Sequence, residues 1–259
     1  MRFSVLGSGS SGNVCYVKTA KASLLVDAGF SCKEIERRLA HLGVKASSID
    51  GIVVTHEHID HIRGVGAFAR RYRVPVLINR ATFSKCRKNI GNIPVPVFFN
   101  TGDTCVFKDM ELHFISKCHD AADPVALTVR SDGCKLGLVT DLGRATSLVL
   151  HSIRDCDALV LEFNHDLQML ELGPYPLELK RRIRGPDGHL SNSQAAQILG
   201  EIAHEGLRFL VLAHLSEVNN HETVAFREAA MALSKMPVPM EPSIMVSRQN
   251  EPTVLTAIG

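Results

Sequence analysis

Short apolar runs alternate with polar turns along this chain, and their spacing switches between the period of two expected of strands and the longer period of helices. Residues 3–6 are a first apolar run, stopped by Gly7-Ser8-Gly9-Ser10-Ser11-Gly12. Residues 13–17, the polar stretch 18–21 and residues 23–27 then read as strand, turn and strand, rich in side chains that suit a pleated surface. The period changes next. Ser31 and Glu34 have the spacing of a capping box, Ile35, Leu39 and Leu42 share one face, and Gly43 supplies a stop, which predicts one amphipathic helix. Residues 49–55 form a short apolar strand that runs into His56.

A similar order returns later. Residues 124–129, a turn at 130–133 and residues 135–141 repeat the hairpin, and Asp141-Leu142-Gly143 answers to Asp27-Ala28-Gly29. Ser191 with Gln194 caps a helix carrying Ala195, Ile198, Leu199 and Ile202, and a strand over 207–213 runs into His214, which mirrors His56 in this reading. Helices over 64–73 and 83–89 and strands over 95–107 and 111–115 fill the interval. The stretch 166–188, with Pro174, Pro176 and Pro186, breaks the pattern and is expected to be an insertion near the site, with a helical turn around 177–184. Two such halves predict sheet facing sheet with helices outside, an α/β (α+β) fold with a site between the halves.

Composition narrows the partners only slightly. A 45% hydrophobic content with 22% charged residues suits a globular chain of 259 residues, and a net charge of +2 announces no polyanionic partner by itself. Seven cysteines, odd in number and without a Cys-x-x-Cys pair, fit reduced thiols and exclude a zinc ribbon. No apolar run has the length of a bilayer span or a signal-peptide core, so the chain is expected to be cytoplasmic. Gly7 to Gly12 spells G-x-G-x-x-G with Asp27 twenty residues past Gly7, the layout of a dinucleotide site. Such a site needs a helix starting inside the glycines, whereas a strand follows here, so no nicotinamide cofactor is expected. The loop could still turn Ser8, Ser10 and Ser11 toward a substrate phosphate.

His56-Glu57-His58-Ile59-Asp60-His61 packs three histidines and an aspartate into six positions directly after a strand. Imidazole and carboxylate donors suit zinc or a similar divalent ion. Residues two apart in extended chain face one way, so His56 and His58 can share one ion while Asp60 and His61 turn to a second. Neither pair fills a coordination sphere; His119, Asp141 and His214 are the distant candidates.

In these motifs the chain resembles the metallo-β-lactamase superfamily: an early Asp (Asp27), the His-x-His-x-Asp-His run, a later His (His119), a bridging Asp (Asp141) and a final His (His214). The resemblance implies a four-layer αββα sandwich of two pseudo-symmetric halves, residues 1–259 as one domain with the insertion at about 166–188. It places one metal on His56, His58, His119 and Asp141 and the other on Asp60, His61, Asp141 and His214, with Asp27 supporting the histidine loop from behind. Within the superfamily, Gly-Ser-Gly-Ser-Ser-Gly-Asn at 7–13, His119-Asp120-Ala121, residues 161–166, Gly188-His189-Leu190-Ser191-Asn192 and Ala213-His214-Leu215-Ser216 are most similar to the YycJ/WalJ group of DNA exonucleases and more distantly to tRNase Z.

That kinship implies a binuclear phosphodiesterase using Zn²⁺ or Mn²⁺, with Fe²⁺ also accepted by such donors. A hydroxide bridging the metals and oriented by Asp60 would attack phosphorus, and Glu162 with His189 would protonate the leaving oxygen. His165 stands where tRNase Z-like enzymes differ and could share that role or touch substrate. Basic residues cluster at 70–88 and at Lys180, Arg181, Arg182 and Arg184; solvated helix faces would explain them equally, and the resemblance favours a DNA backbone. Two other classes remain: a small-molecule hydrolase of thioesters, lactams or cyclic phosphodiesters, and a metal-bound regulatory protein without turnover. Oligomeric state leaves no mark in the sequence.

Overall fold

The structure, a computed structural model, describes residues 1–236 and 241–259. In its first sheet β1 (Arg2–Gly7), β2 (Val14–Lys18) and β3 (Ser23–Val26) run antiparallel, and β4 (Gly51–Val53), β5 (Val76–Asn79) and β6 (Pro96–Phe99) continue in parallel. The second sheet repeats the scheme with β8 (Met110–Ser116), β9 (Val125–Ser131) and β10 (Cys134–Val139) antiparallel, then β11 (Ala158–Glu162), β12 (Phe209–Ala213) and β13 (Ser243–Val246) parallel. Each sheet has one more edge strand. β7 (Thr104–Phe107) lies beside β8, and the C-terminal β14 (Thr256–Ala257) takes the equivalent place beside β1, tying the two chain ends together.

Alternation along the strands explains the four layers. Leu24 and Val26 of β3, Leu77 of β5, Leu136 and Leu138 of β10 and Val211 of β12 point into the core between the sheets. Their neighbours Leu25, Val76, Ile78, Leu210 and Leu212 point outward under helices. On the first sheet these are α1 (Cys32–His41), α3 (Val65–Tyr72) and α4 (Arg80–Ile90), and on the second α5 (Ser147–Ile153), α8 (Asn192–Ile202) and α9 (Glu222–Ser234). Strands covered on both faces must be apolar throughout, which is why several read as unbroken runs. The one-turn α2 (Ile59–Ile62) follows β4, and the 166–188 stretch holds α6 (Leu167–Leu172) and α7 (Leu177–Arg184), two helices where a single turn is expected from the sequence. Among the described residues no helix is long and apolar enough to cross a membrane.

The repeat is real, but its register differs from the one the sequence suggests. By pairing order β3 matches β10 and β4 matches β11, so the counterpart of the strand leading to His56 ends in Glu162, while the strand leading to His214 matches β5. Likewise α1 corresponds to α5, between matched strands, and not to the capped α8. The physical reason is that β11 is a short apolar run, which periodicity alone does not separate from buried helix. At the caps, Ser191 and Gln194 close a full box on α8. On α1 only the Ser31 half forms, because Glu34 turns to Arg37 and Arg38 instead. The glycine-rich loop leads into β2 and not into a helix, as expected.

Candidate metal centre

Parallel strands deliver the polar residues at their C-terminal ends: Asp27 after β3, Thr55 and His56 after β4, Asp141 after β10, Glu162 at the end of β11 and His214 after β12. Asp27, Asp141 and His214 adopt left-handed backbone conformations, with φ of 60°, 54° and 56°. Non-glycine residues hold such angles where surrounding bonds over-determine them, and such strain gathers at functional sites. The glycines two positions after each aspartate are needed for close approach. A β-carbon at Gly29 would lie 1.7 Å from the Asp60 carbonyl oxygen, and one at Gly143 would lie 2.2 Å from that of Pro186.

Each imidazole has one nitrogen anchored from behind. The Asp27 carboxylate accepts bonds from the Thr55 amide (2.8 Å), the Thr55 hydroxyl (2.8 Å) and His61 Nδ1 (2.7 Å). Having donated its hydroxyl proton to Asp27, Thr55 accepts from His56 Nδ1 at 3.0 Å. His119 Nδ1 donates to the Gly188 carbonyl (3.1 Å), His58 Nε2 to the Asp120 carbonyl (3.1 Å) and His214 Nδ1 to Glu162 Oε1 (3.0 Å). An anchored N–H fixes the tautomer, so the opposite nitrogen carries a lone pair.

Those opposite nitrogens converge. His58 Nδ1 lies 3.2 Å from His119 Nε2, and His56, His58 and His119 each bring a ligand atom within 4.8 Å of the others. His61 Nε2 lies 3.2 Å from Asp141 Oδ2 and 3.4 Å from Asp60 Oδ2, while His214 Nε2 is 3.9 Å from Asp60 Oδ2. Asp141 stands between the groups, its Oδ1 3.9 Å from His119 Nε2 and 3.1 Å from His214 Nδ1. Facing lone pairs repel, and His56 Nε2 and Asp141 Oδ2 are buried with no hydrogen-bond partner among the described residues. A cradle of imidazole and carboxylate donors with orphaned inner atoms fits divalent cations.

Local electrostatics agree. Burial, then the neighbouring His61 and Lys117, push the His56 ring well below its ordinary value, and burial pushes His119 down to about 4, so both rings are neutral. For His214 the balance differs: burial acts on it too, but Asp141, Glu162 and Asp60 outweigh it and hold the ring up at about 9, so a cation at this ring would have to displace the Nε2 proton. The Asp141 carboxyl is held well below the usual range, despite burial, by His214, His61 and Lys117.

The histidine and aspartate ligands expected from the sequence are thus brought together. His56 and His58 sit in the loop beyond β4, and Asp60 and His61 lie in the single turn α2, so the loop and that turn aim the side chains more than strand alternation does. Glu162 is fully buried and accepts five bonds: Oε1 from the Asp141 amide (3.3 Å), His189 Nδ1 (2.8 Å) and His214 Nδ1 (3.0 Å), Oε2 from the Leu142 (2.9 Å) and Leu190 (3.0 Å) amides. A cavity of about 200 Å³ opens over the cluster between the glycine-serine loop and α7; His58, Asp60, Asp141, His189 and His214 are among its walls.

Of the six residues expected to meet substrate, Ser10 and Arg182 line this cavity. The other four stand elsewhere. Ser8 donates its hydroxyl to Asn13 and accepts the His214 amide, and the Ser11 amide is bound by Gln249. Arg181 is exposed on α7 outside the cavity. His165 is buried with neither ring nitrogen bonded to any described residue, so it lies in the wall of the fold and off the cavity surface.

Three residues were not singled out from the sequence. Asn13 donates to Asp60 Oδ2 (3.0 Å), Asp120 holds His58, and Lys117 is buried behind the cluster with Nζ on the Thr140 carbonyl (2.7 Å). Asn13 and Asp120 fall inside the quoted motifs; Lys117 has no signal, since a lysine at a strand end ordinarily reads as exposed.

Comparison with known proteins gives the following. Residues 7–149 match the Metallo-beta-lactamase superfamily. The chain is 39% identical over 237 residues to the exodeoxyribonuclease YycJ of Bacillus anthracis, covering 91% of this chain and 90% of that protein. It is 36% identical over 228 residues to the exodeoxyribonuclease WalJ of Streptococcus pneumoniae, covering 86% of this chain and 85% of that one. Among solved structures it superposes on the short form of human tRNase Z with a TM-score of 0.66 at 13% identity, covering 99% of this chain and 100% of that one.

Proposed function

The chain belongs to the metallo-β-lactamase superfamily, and from that premise we propose that it is a metal-dependent phosphodiesterase that digests DNA from a 5′ end. The observation that carries this reading is the convergence of five rear-anchored imidazoles with Asp60 and Asp141, of which His58, His119, His214 and both carboxylates line one small cavity. The similarity to two exodeoxyribonucleases supports the substrate class.

In this reading His56, His58, His119 and Asp141 hold one cation and Asp60, His61, Asp141 and His214 the other, Zn²⁺ or Mn²⁺, with Fe²⁺ also compatible. Bound there, divalent ions supply positive charge for the phosphoryl oxygens and make water acidic enough to attack near neutral pH. The chain's own residues do the rest. Asp27 and Thr55 fix the histidine loop, and Asn13 fixes the Asp60 carboxylate. His189, with Nδ1 on Glu162 and its ring in the cavity wall, gives a proton from Nε2 to the leaving oxygen. Asp60, also in the cavity wall, orients the attacking water.

A second reading, hydrolysis of a small ester or cyclic phosphodiester, is favoured by the cavity's volume of about 200 Å³, which is small for a macromolecular groove. The deciding assay incubates the purified chain with Mn²⁺ or Zn²⁺ and 5′-phosphorylated duplex DNA, beside His61→Ala and His189→Ala variants. Digestion that needs metal and is lost in both variants supports the nuclease. Intact DNA with hydrolysis of a thioester, a lactam or a cyclic dinucleotide supports the small-molecule reading, and tight metal retention without turnover overturns both in favour of a regulatory protein.

A further inference from the structure

Four cationic side chains crowd α7, yet only one faces the metal cluster. Lys180 donates to the Glu171 carbonyl at 2.6 Å, Arg184 pairs with the Glu171 carboxylate, and Arg181 points to solvent. Arg182 lines the cavity together with Leu179 and Ile183. Positions i, i+3 and i+4 share one helix face, so a single face of α7 presents a guanidinium flanked by two apolar side chains.

The Arg182 side chain is 63% exposed and is held by one bond, from Nε to Asp120 Oδ2 at 2.7 Å. Among the described residues its two Nη groups have no hydrogen-bond partner. A guanidinium is a rigid planar fork, so anchoring Nε fixes the direction of both Nη groups. Asp120 is itself fixed, its amide donating to the Asp187 carbonyl at 3.0 Å and its carbonyl accepting His58 Nε2 at 3.1 Å. One residue therefore sets both an imidazole of the cluster and the guanidinium across from it. Among the described residues the cavity wall has no aromatic ring apart from histidines on which a base could stack.

We propose that this face of α7 is the subsite for the phosphate and sugar next to the bond being cut, with Arg182 as the phosphate-binding residue, Leu179 and Ile183 as the sugar-packing wall, and Asp120 as the positioning residue that aims Arg182. The inference rests on the phosphodiesterase reading and adds a location and a recognition chemistry: one backbone phosphate is gripped and bases are not read.

The test follows binding of a fluorescein-labelled, 5′-phosphorylated DNA single strand by anisotropy across salt concentrations, and KM and kcat for digestion by the Mn²⁺-loaded enzyme. Arg182→Ala is expected to weaken binding about tenfold and to raise KM with kcat nearly unchanged. It should also lower the slope of log affinity against log salt by about 0.7, the share of one phosphate contact on a single strand. Asp120→Asn leaves the carbonyl that holds His58 but neutralises the carboxylate whose Oδ1 lies 3.5 Å from His58 Nε2, so its affinity, expected to fall by less, is compared at a metal content matched to wild type. The Arg182→Ala, Asp120→Asn double variant should bind no more weakly than Arg182→Ala alone. Wild-type affinity and salt slope in Arg182→Ala overturn the subsite, and additive losses in the double variant overturn the positioning role. A wild-type enzyme that neither binds nor cuts this strand nor digests the 5′-phosphorylated duplex removes the phosphodiesterase reading itself, whereas one that cuts DNA equally well without Arg182 leaves that reading intact and removes only the subsite.

Discussion

Replacing Glu162 by glutamine tests whether one buried carboxylate organises the whole centre. The change keeps shape and removes charge, but an amide has one acceptor and one donor where the carboxylate has two acceptors. If the new NH2 takes the Oε2 position it faces the amides of Leu142 and Leu190; at Oε1 it faces the amide of Asp141 and the imidazoles of His189 and His214. At least two of the five bonds therefore become contacts between donors. With buried bonds to a charged acceptor worth roughly 1.5–3 kcal/mol each, the loss is about 3–5 kcal/mol. In either orientation His214 loses its charged partner, and with the NH2 at Oε1 it loses the bond outright; weakening of an outer partner typically lowers metal affinity about 10- to 100-fold. Urea denaturation of EDTA-treated protein measures the first quantity and zinc titration against a competing chelator the second. His189→Ala, which removes a single bond, serves as the control and should cost no more than about half as much stability while leaving zinc affinity near wild type. A Glu162→Gln protein within about 1 kcal/mol of wild type and with unchanged zinc affinity would refute the idea of a central carboxylate.

Saturating zinc should raise the melting temperature well above that of EDTA-treated protein, since ligand at about 1,000 times Kd adds about 4 kcal/mol to the folded state; equal melting curves would show that the cradle binds no ion. Arg37, and Arg38 with it, hold the Glu34 carboxyl down to about 2 against burial, so its contribution is complete above about 4.5 and fades as pH falls toward 2. Screened as this pair is, the wild-type advantage over Glu34→Gln should be about 1 kcal/mol at pH 6 and vanish near pH 2, as urea midpoints at both pH values would reveal; an advantage independent of pH would contradict the assignment. Burial pushes His165 down to about 4, and its ring is bonded to no described residue, so His165→Leu should change stability by less than about 1 kcal/mol and leave DNA digestion intact; a loss above about 3 kcal/mol would reveal a hidden polar partner.

What the sequence made legible follows from how the information is stored. The histidine loop is contiguous, so its donors declare themselves, and Asp27, His119, Asp141 and His214 follow from their order and from the motifs around them. Hairpins with polar turns were equally plain, because the turn residues punctuate the apolar runs. Hidden from view were β5, β11 and β13, short apolar runs that periodicity does not separate from buried helix, the helices α5 and α9, and the edge strand β14, whose partner β1 lies at the other end of the chain. Lys117 and the Arg182–Asp120 contact depend on tertiary neighbours far apart in sequence, and no local pattern encodes them.

The corrected register explains why the centre is asymmetric although the fold is not. In both halves an aspartate in left-handed conformation follows the third strand, and the chain beyond the fourth strand returns across it. In the first half that returning segment is the short loop with His56, His58, Asp60 and His61, and Asp27 spends its oxygens on Thr55 and His61 from behind. In the second half it is the long stretch carrying α6, α7 and His189, and Glu162 at the strand end takes over the anchoring. Asp141 is thereby released from that duty, and its Oδ2, 3.2 Å from His61 Nε2, is left without a hydrogen-bond partner among the described residues. In the proposed reading one half thus supplies a compact run of donors, and the other adds His119 and His214, the carboxylate set between the two donor groups, the proposed proton donor His189 and the helix over the cavity.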